Sequence, residues 1–130
     1  MPHFIVEYSA NLKPALQLQP LFAQVHEHLI GMRLFPTGGI RSRARCIDTY
    51  RYADGAGDYA GIHVELKLSA ARDPELRKQI GEQVFALVRE YCAPLRQQVP
   101  YLALSMEVSL LHPEVFFNDN NLHEIFGLVP

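Results

Sequence analysis

The sequence predicts an α+β fold in which two tandem strand–helix–strand units build one four-stranded mixed sheet with both helices on one face. Three observations predict it. Four segments alternate apolar and polar residues as strands do, and two carry apolar residues at helical spacing in the order strand, helix, strand, twice. A shift of 60 residues also lays HFIVEYSA (3–10) on HVELKLSA (63–70), matching His3 with His63, Ser9 with Ser69 and Ala10 with Ala70. Parallel strands within each unit need a right-handed crossover, which puts both helices on the same side. The chain reads as one domain over 1–130, with repeats at about 2–58 and 59–111 and a tail at 112–130.

The first strand is 3–9, where Phe4, Val6 and Tyr8 share a face. Residues 11–19 read as a loop. Pro20 suits a first helical turn, and Leu21, Phe22, Val25 and Leu29 continue as an apolar stripe that ends near Gly31. The Phe35–Gly39 cluster breaks the chain, and IRSRARCIDTYRY then reads as a long second strand. After the Asp54–Asp58 turn, 60–69 places Ile62, Val64, Leu66 and Leu68 on one face. Asp73 caps the second helix, with Pro74 at its first position and Leu76, Ile80, Val84, Leu87, Val88 and Tyr91 at helical spacing. Pro94 and Pro100 bracket its end, and 101–111 is the fourth strand, whose apolar face is expected to be partly uncovered and to meet other subunits. The tail has turn chemistry around Asn118–Asn121 and no assigned element.

Composition narrows the function. With 130 residues, 48% hydrophobic and 20% charged, the chain can bury a real core, and a net charge of −2 argues against a general nucleic-acid binder. No apolar run approaches the roughly 18 residues of a membrane span, and no secretory leader is visible, so a soluble cytoplasmic protein is expected. Cys46 and Cys92 lack a CxxC pattern and are expected to be buried free thiols.

Pro2 stands directly behind Met1. It can simply start an edge strand, where its missing N–H does no harm. If the methionine is removed, it instead presents a basic secondary amine on a rigid ring, a group able to move protons. Such an amine titrates near or above ~8 in water, so burial or neighbouring cations must lower its pKa before it can act as a base at neutral pH. Arg41, Arg43 and Arg45 alternate along the second strand and point to one face, where they can meet subunit carboxylates or an anionic ligand. His26 and His28 do not share a helix face and no HExxH spacing occurs, so no metal is expected. His3, His63, His112 and His123 read as surface or interface residues, and no nucleophile elbow, P-loop or dinucleotide fingerprint is present.

Four stretches, PHFIVE, FPTGGIRSRAR, D-x-Y-x-x-ADG-x-x-DYA and the terminal LHP…FNDNN-x-H, resemble the 5-carboxymethyl-2-hydroxymuconate isomerase family of the tautomerase superfamily, from Pro2 to about Phe126. The resemblance implies a trimer built from tandem βαβ units, with the amino-terminal proline as catalytic base and no cofactor. It also implies a small, carboxylate-rich enol as substrate, in which a proton moves from the enol oxygen to a remote carbon. Arg41 matches the family's arginine at the start of its strand. Shorter members place an arginine ten residues after the proline; here that position is Leu12, and counting ten from Ile62, the repeat partner of Pro2, reaches Arg72. Arg72 is therefore expected at the site, from the same or a neighbouring chain, with Arg43 as a further substrate-binding candidate. Two alternatives stay open: a tautomerase for another 2-hydroxymuconate or a phenylpyruvate-like enol, and a non-catalytic trimeric binding module. The last residues, Gly127–Pro130, depart from the family and are expected to stay clear of the chemistry.

Overall fold

A computed structural model describes residues 1–130. Its elements are β1 (His3–Ser9), α1 (Leu18–Gly31), β2 (Arg41–Ile47), β3 (Ala60–Ser69), α2 (Pro74–Cys92), β4 (Leu102–Leu111) and a one-turn α3 (His123–Phe126). The sheet order is β2-β1-β3-β4. β1 runs parallel to β2, from His3 opposite Arg41 to Ser9 opposite Ile47, and β3 runs parallel to β4, from Ala60 opposite Leu102 to Ser69 opposite Leu111. The two inner strands are antiparallel, with His3 opposite Lys67. That one antiparallel pairing has a functional consequence: the end of β3 lies beside the start of β1, so the turn leading into α2 returns to the amino-terminal end of the chain.

The core lies between one sheet face and the two helices. Phe4 and Val6 of β1 and Val64, Leu66 and Leu68 of β3 are fully buried, as are Val25 and Leu29 of α1 and Ile80, Val84 and Val88 of α2. Burial of each such side chain contributes roughly 1.5–3 kcal/mol. α2 begins where the sequence sets it, with the Asp73 carboxylate accepting from the Glu75 and Leu76 N–H groups at 3.0 and 3.2 Å and Pro74 at the first position. α2 also lies close to β4, since a Cβ on Gly81 would meet Val108 Cγ2 at 2.8 Å. A larger residue there would push helix and strand apart.

Four sequence expectations need correction. The second strand ends at Ile47 rather than running on to Tyr52, because β1 ends at Ser9 and the sheet offers nothing further to pair with. Cys92 is a buried thiol, its pKa pushed by burial up to about 11, but Cys46 is only half-buried, on the outer strand β2. The apolar side of β4 is partly uncovered, with Leu104, Met106 and Val108 half-buried against the core and Leu110 exposed, but it lies on the helix side, so the opposite sheet face is polar. On that face His63 bonds Ser105 Oγ at 2.7 Å and Glu107 Oε1 at 3.1 Å, and Lys67 pairs with Glu65 at 3.3 Å. Finally, His3 is buried rather than a surface residue.

Candidate active site

Pro2 is buried at the head of β1, and its carbonyl accepts from the Arg41 N–H at 3.2 Å, which fixes the chain's start against the start of β2. Met1 lies against the Thr37–Gly39 turn: a Cβ on Gly39 would sit 2.9 Å from Met1 Cγ. The breaker cluster of the sequence is thus a close-approach surface, with glycine at the point where a side chain would collide.

Arg72 reaches the same end of the sheet, carried there from within the chain by the turn after β3. Its Nη2 donates to the Leu34 carbonyl at 2.6 Å and its guanidinium lies 4.5 Å from the centre of the Phe35 ring. Its Nε is buried without a partner, and burial lowers its pKa. The Met1 amine has its pKa lowered, first by burial and then by the charges of Arg72 and Arg41. Both arginines are therefore close enough to act on it electrostatically. The ion pairs of the chain are His63–Glu107, Lys67–Glu65, Lys78–Glu82 and His112–Glu114, so Arg41, Arg43 and Arg72 have no carboxylate partner.

Arg43, one alternation further along β2, places Nη1 3.3 Å from His3 Nδ1. Burial, then Arg41, Arg43, the terminal amine and Lys67, push the His3 pKa down to about 4. Being neutral, His3 can accept from Arg43 through Nδ1, which leaves its proton on Nε2; that nitrogen is buried with no partner. Arg45 stands further down β2, exposed and level with Glu7. His26 and His28 turn to separate partners, Ser42 Oγ at 2.7 Å and Gln83 Oε1 at 3.0 Å.

The tail, unassigned from sequence, closes over this end of the molecule. Phe116 meets the His3 ring edge-on at 6.1 Å, and Asn118 Nδ2 lies 3.5 Å from Met1 Sδ. Asn120 Nδ2 donates to the Gly38 carbonyl at 2.7 Å, and a Cβ on Gly38 would meet the His123 backbone N and Nδ1 at 3.2 Å. Gly127–Pro130 are exposed. His3 and the tail contacts were missed by sequence reasoning. His3 shares a level with Arg41 only through the β1–β2 register, and nothing in the spacing of Phe116 to His123 states which turn they cover.

The sheet order and the cationic surroundings of the amino terminus define a protein of the tautomerase fold. A macrophage migration inhibitory factor homologue from Prochlorococcus marinus shares that fold with a TM-score of 0.59 at 12% identity, over 90% of this chain and 95% of that one. Within this class the sequence profile of 5-carboxymethyl-2-hydroxymuconate isomerase matches residues 2–126, and the chain belongs to that family. It is 45% identical over 126 residues to the 5-carboxymethyl-2-hydroxymuconate Delta-isomerase of Escherichia coli, covering 97% of this chain and 99% of the relative. The crystal structure of a 5-carboxymethyl-2-hydroxymuconate isomerase from Deinococcus radiodurans superposes with a TM-score of 0.87 at 31% identity, over 96% and 93% of the two chains.

Proposed function

We propose that this protein is a 5-carboxymethyl-2-hydroxymuconate isomerase that uses Pro2, freed of Met1, as its base. What supports this reading is the convergence of two carboxylate-free arginines, Arg41 and Arg72, on the chain's start, where they lower the pKa of the Met1 amine one residue ahead of the buried Pro2; the same field would act on a Pro2 amine once Met1 is removed. A neutral secondary amine takes the enol O–H proton. The O–H electrons become the carbonyl π bond, the conjugated double bond shifts, and the ammonium returns the same proton to the remote carbon. Nothing is oxidised or reduced overall, so the step needs no cofactor. Arg41 and Arg72 pair with substrate carboxylates and stabilise the negative charge that grows on the oxygen, and Arg43 supplies a further cation. Half-burial of Arg41 and Arg72 makes those interactions stronger than in open water.

In this reading the enzyme is cytoplasmic and works as a homotrimer. Its sheet leaves both outer strands, β2 and β4, without a partner on one side, and Tyr101 and Leu110 of the β4 region are exposed. No helix is long and apolar enough to cross a membrane.

Following the reaction by proton NMR in D2O, together with ultraviolet loss of the dienol, tests the reading. Conversion to the unsaturated ketone, with deuterium entering one carbon only, is expected. No conversion of 5-carboxymethyl-2-hydroxymuconate by processed protein would overturn it.

A further inference from the structure

The family's namesake substrate carries three carboxylates: two from the muconate backbone and one on its carboxymethyl arm. Arg41 and Arg72 account for two of them. The geometry points to a third anion subsite, formed by His3 and Arg43 under Phe116, that takes the carboxymethyl carboxylate and so sets the preference for it; this rests on the proposed function above. His3 is 8% exposed, and its Nε2 is buried with no partner. Its Nδ1 is within hydrogen-bond distance of Arg43 Nη1, so the two side chains form one unit in which Arg43 donates to Nδ1 and the ring proton stays on Nε2.

The charges that act on the His3 ring are all cationic, while the outer side of Arg43 also lines a pocket with Glu7, Glu65 and Glu107. Arg41 is level with His3 across the β1–β2 pair, and neither Arg41 nor Arg43 has a carboxylate partner. Lys67, level with His3 on the other side, is already neutralised by Glu65. A buried N–H donor and the neighbouring Arg43 guanidinium, which has no carboxylate partner, lack one thing, an anionic acceptor. The ring is held neutral by burial and by those cations, so it serves as a donor and not as a fourth charge. Phe116 lies edge-on to the ring, 6.1 Å between centroids, and covers one side of His3.

The test compares kcat/KM for 5-carboxymethyl-2-hydroxymuconate and for 2-hydroxymuconate, which lacks the arm, in the wild type, Arg43→Ala, His3→Phe and His3→Gln. The ratio of the two values is the readout, because a merely structural defect lowers both together. Arg43→Ala and His3→Phe should each lower the ratio by roughly tenfold or more, as expected for a lost charged hydrogen bond. His3→Gln, which keeps an N–H donor and an acceptor, should restore part of it. Should His3→Phe not fold, Arg43→Ala decides, since Arg43 is exposed and outside the core. A ratio unchanged in Arg43→Ala overturns the subsite. Pro2→Ala, run alongside, separates the two claims: if it leaves both rates intact, the proton-transfer reading fails, and if it abolishes both while the ratio in Arg43→Ala stays fixed, only the subsite fails.

Discussion

Replacing Arg72 with alanine removes three things, each with its own readout. One is a substrate-facing cation: charged hydrogen bonds are worth roughly 1.5–3 kcal/mol, so kcat/KM should fall by about tenfold to a hundredfold. Another is structural, the 2.6 Å bond to the Leu34 carbonyl and the guanidinium over Phe35. Losing them costs stability, partly offset because a half-buried charge no longer needs burying, and a net loss of about 1–2 kcal/mol follows. The last is the field at the chain's start. Arg72 lowers the pKa of the Met1 amine, and the same charge acts on a Pro2 amine freed of Met1, so without it the Pro2 pKa should rise and the acid limb of the kcat/KM profile should move to higher pH. Arg72→Lys should leave the limb nearly in place while recovering little of the rate, because lysine keeps the charge but not the planar fork. The assay is ultraviolet initial rates across pH with thermal unfolding of each variant. A stability loss with unchanged kinetics and an unmoved limb would refute the reasoning and make Arg72 a brace for the Leu34–Phe35 turn alone.

Three further outcomes are expected. His3 titrates at about 4 when folded against ~6.5 when unfolded, so the unfolded chain binds the extra proton first and stability falls as pH drops from ~6.5 toward 4. That contribution is at most about 3–4 kcal/mol; urea midpoints near neutral pH and near pH 4.5 should differ less in His3→Phe than in the wild type, and equal differences would contradict it. Gly39→Ala puts a methyl where Met1 Cγ now lies within 2.9 Å, so in the processed protein it should raise KM with little change in melting temperature. A KM unaltered within error would remove that surface from the substrate's path. Sedimentation at micromolar concentration should give a trimer, and a stable monomer would overturn the assembly.

What the sequence reveals follows from where its residues are constrained. In β3 the alternation of Ile62, Val64, Leu66 and Leu68 marks one buried face, and the strand's bounds match the pattern. Asp73-Pro74 fixes the start of α2 because a cap and a proline each tolerate only that place. The second strand was over-extended because Thr49, Tyr50 and Tyr52 have the same β preference as the strand itself. What stops it is the length of β1, a fact that lies elsewhere in the chain. The side of the sheet on which the apolar residues of β4 lie is not legible for a related reason: alternation shows that a strand has two faces but not which one meets the helices.

The site divides in the same way. The candidates Pro2 and Arg41 come from position and resemblance, and Arg72 from a count along the repeat; the antiparallel β1–β3 pairing explains why the count leads to the same end of the sheet as Pro2. His3 was not legible. Its neighbours are Arg41, Arg43 and Phe116, separated from it by whole elements of structure, and only the folded register brings them to one ring. The tail is similar, because Asn118 and Asn120 find Met1 and Gly38 across most of the chain's length.

The central claim is that a free Pro2 amine moves the proton. The most direct measurement pairs intact mass, which reports whether Met1 is present, with kcat/KM on the same preparations and on Pro2→Ala. Protein beginning at Pro2 should be active, while uniformly Met1-retaining protein and the alanine variant should lose about 10²–10⁴-fold, the usual contribution of a positioned base. Equal activity with Met1 retained, or an unaltered rate in Pro2→Ala, would contradict the account.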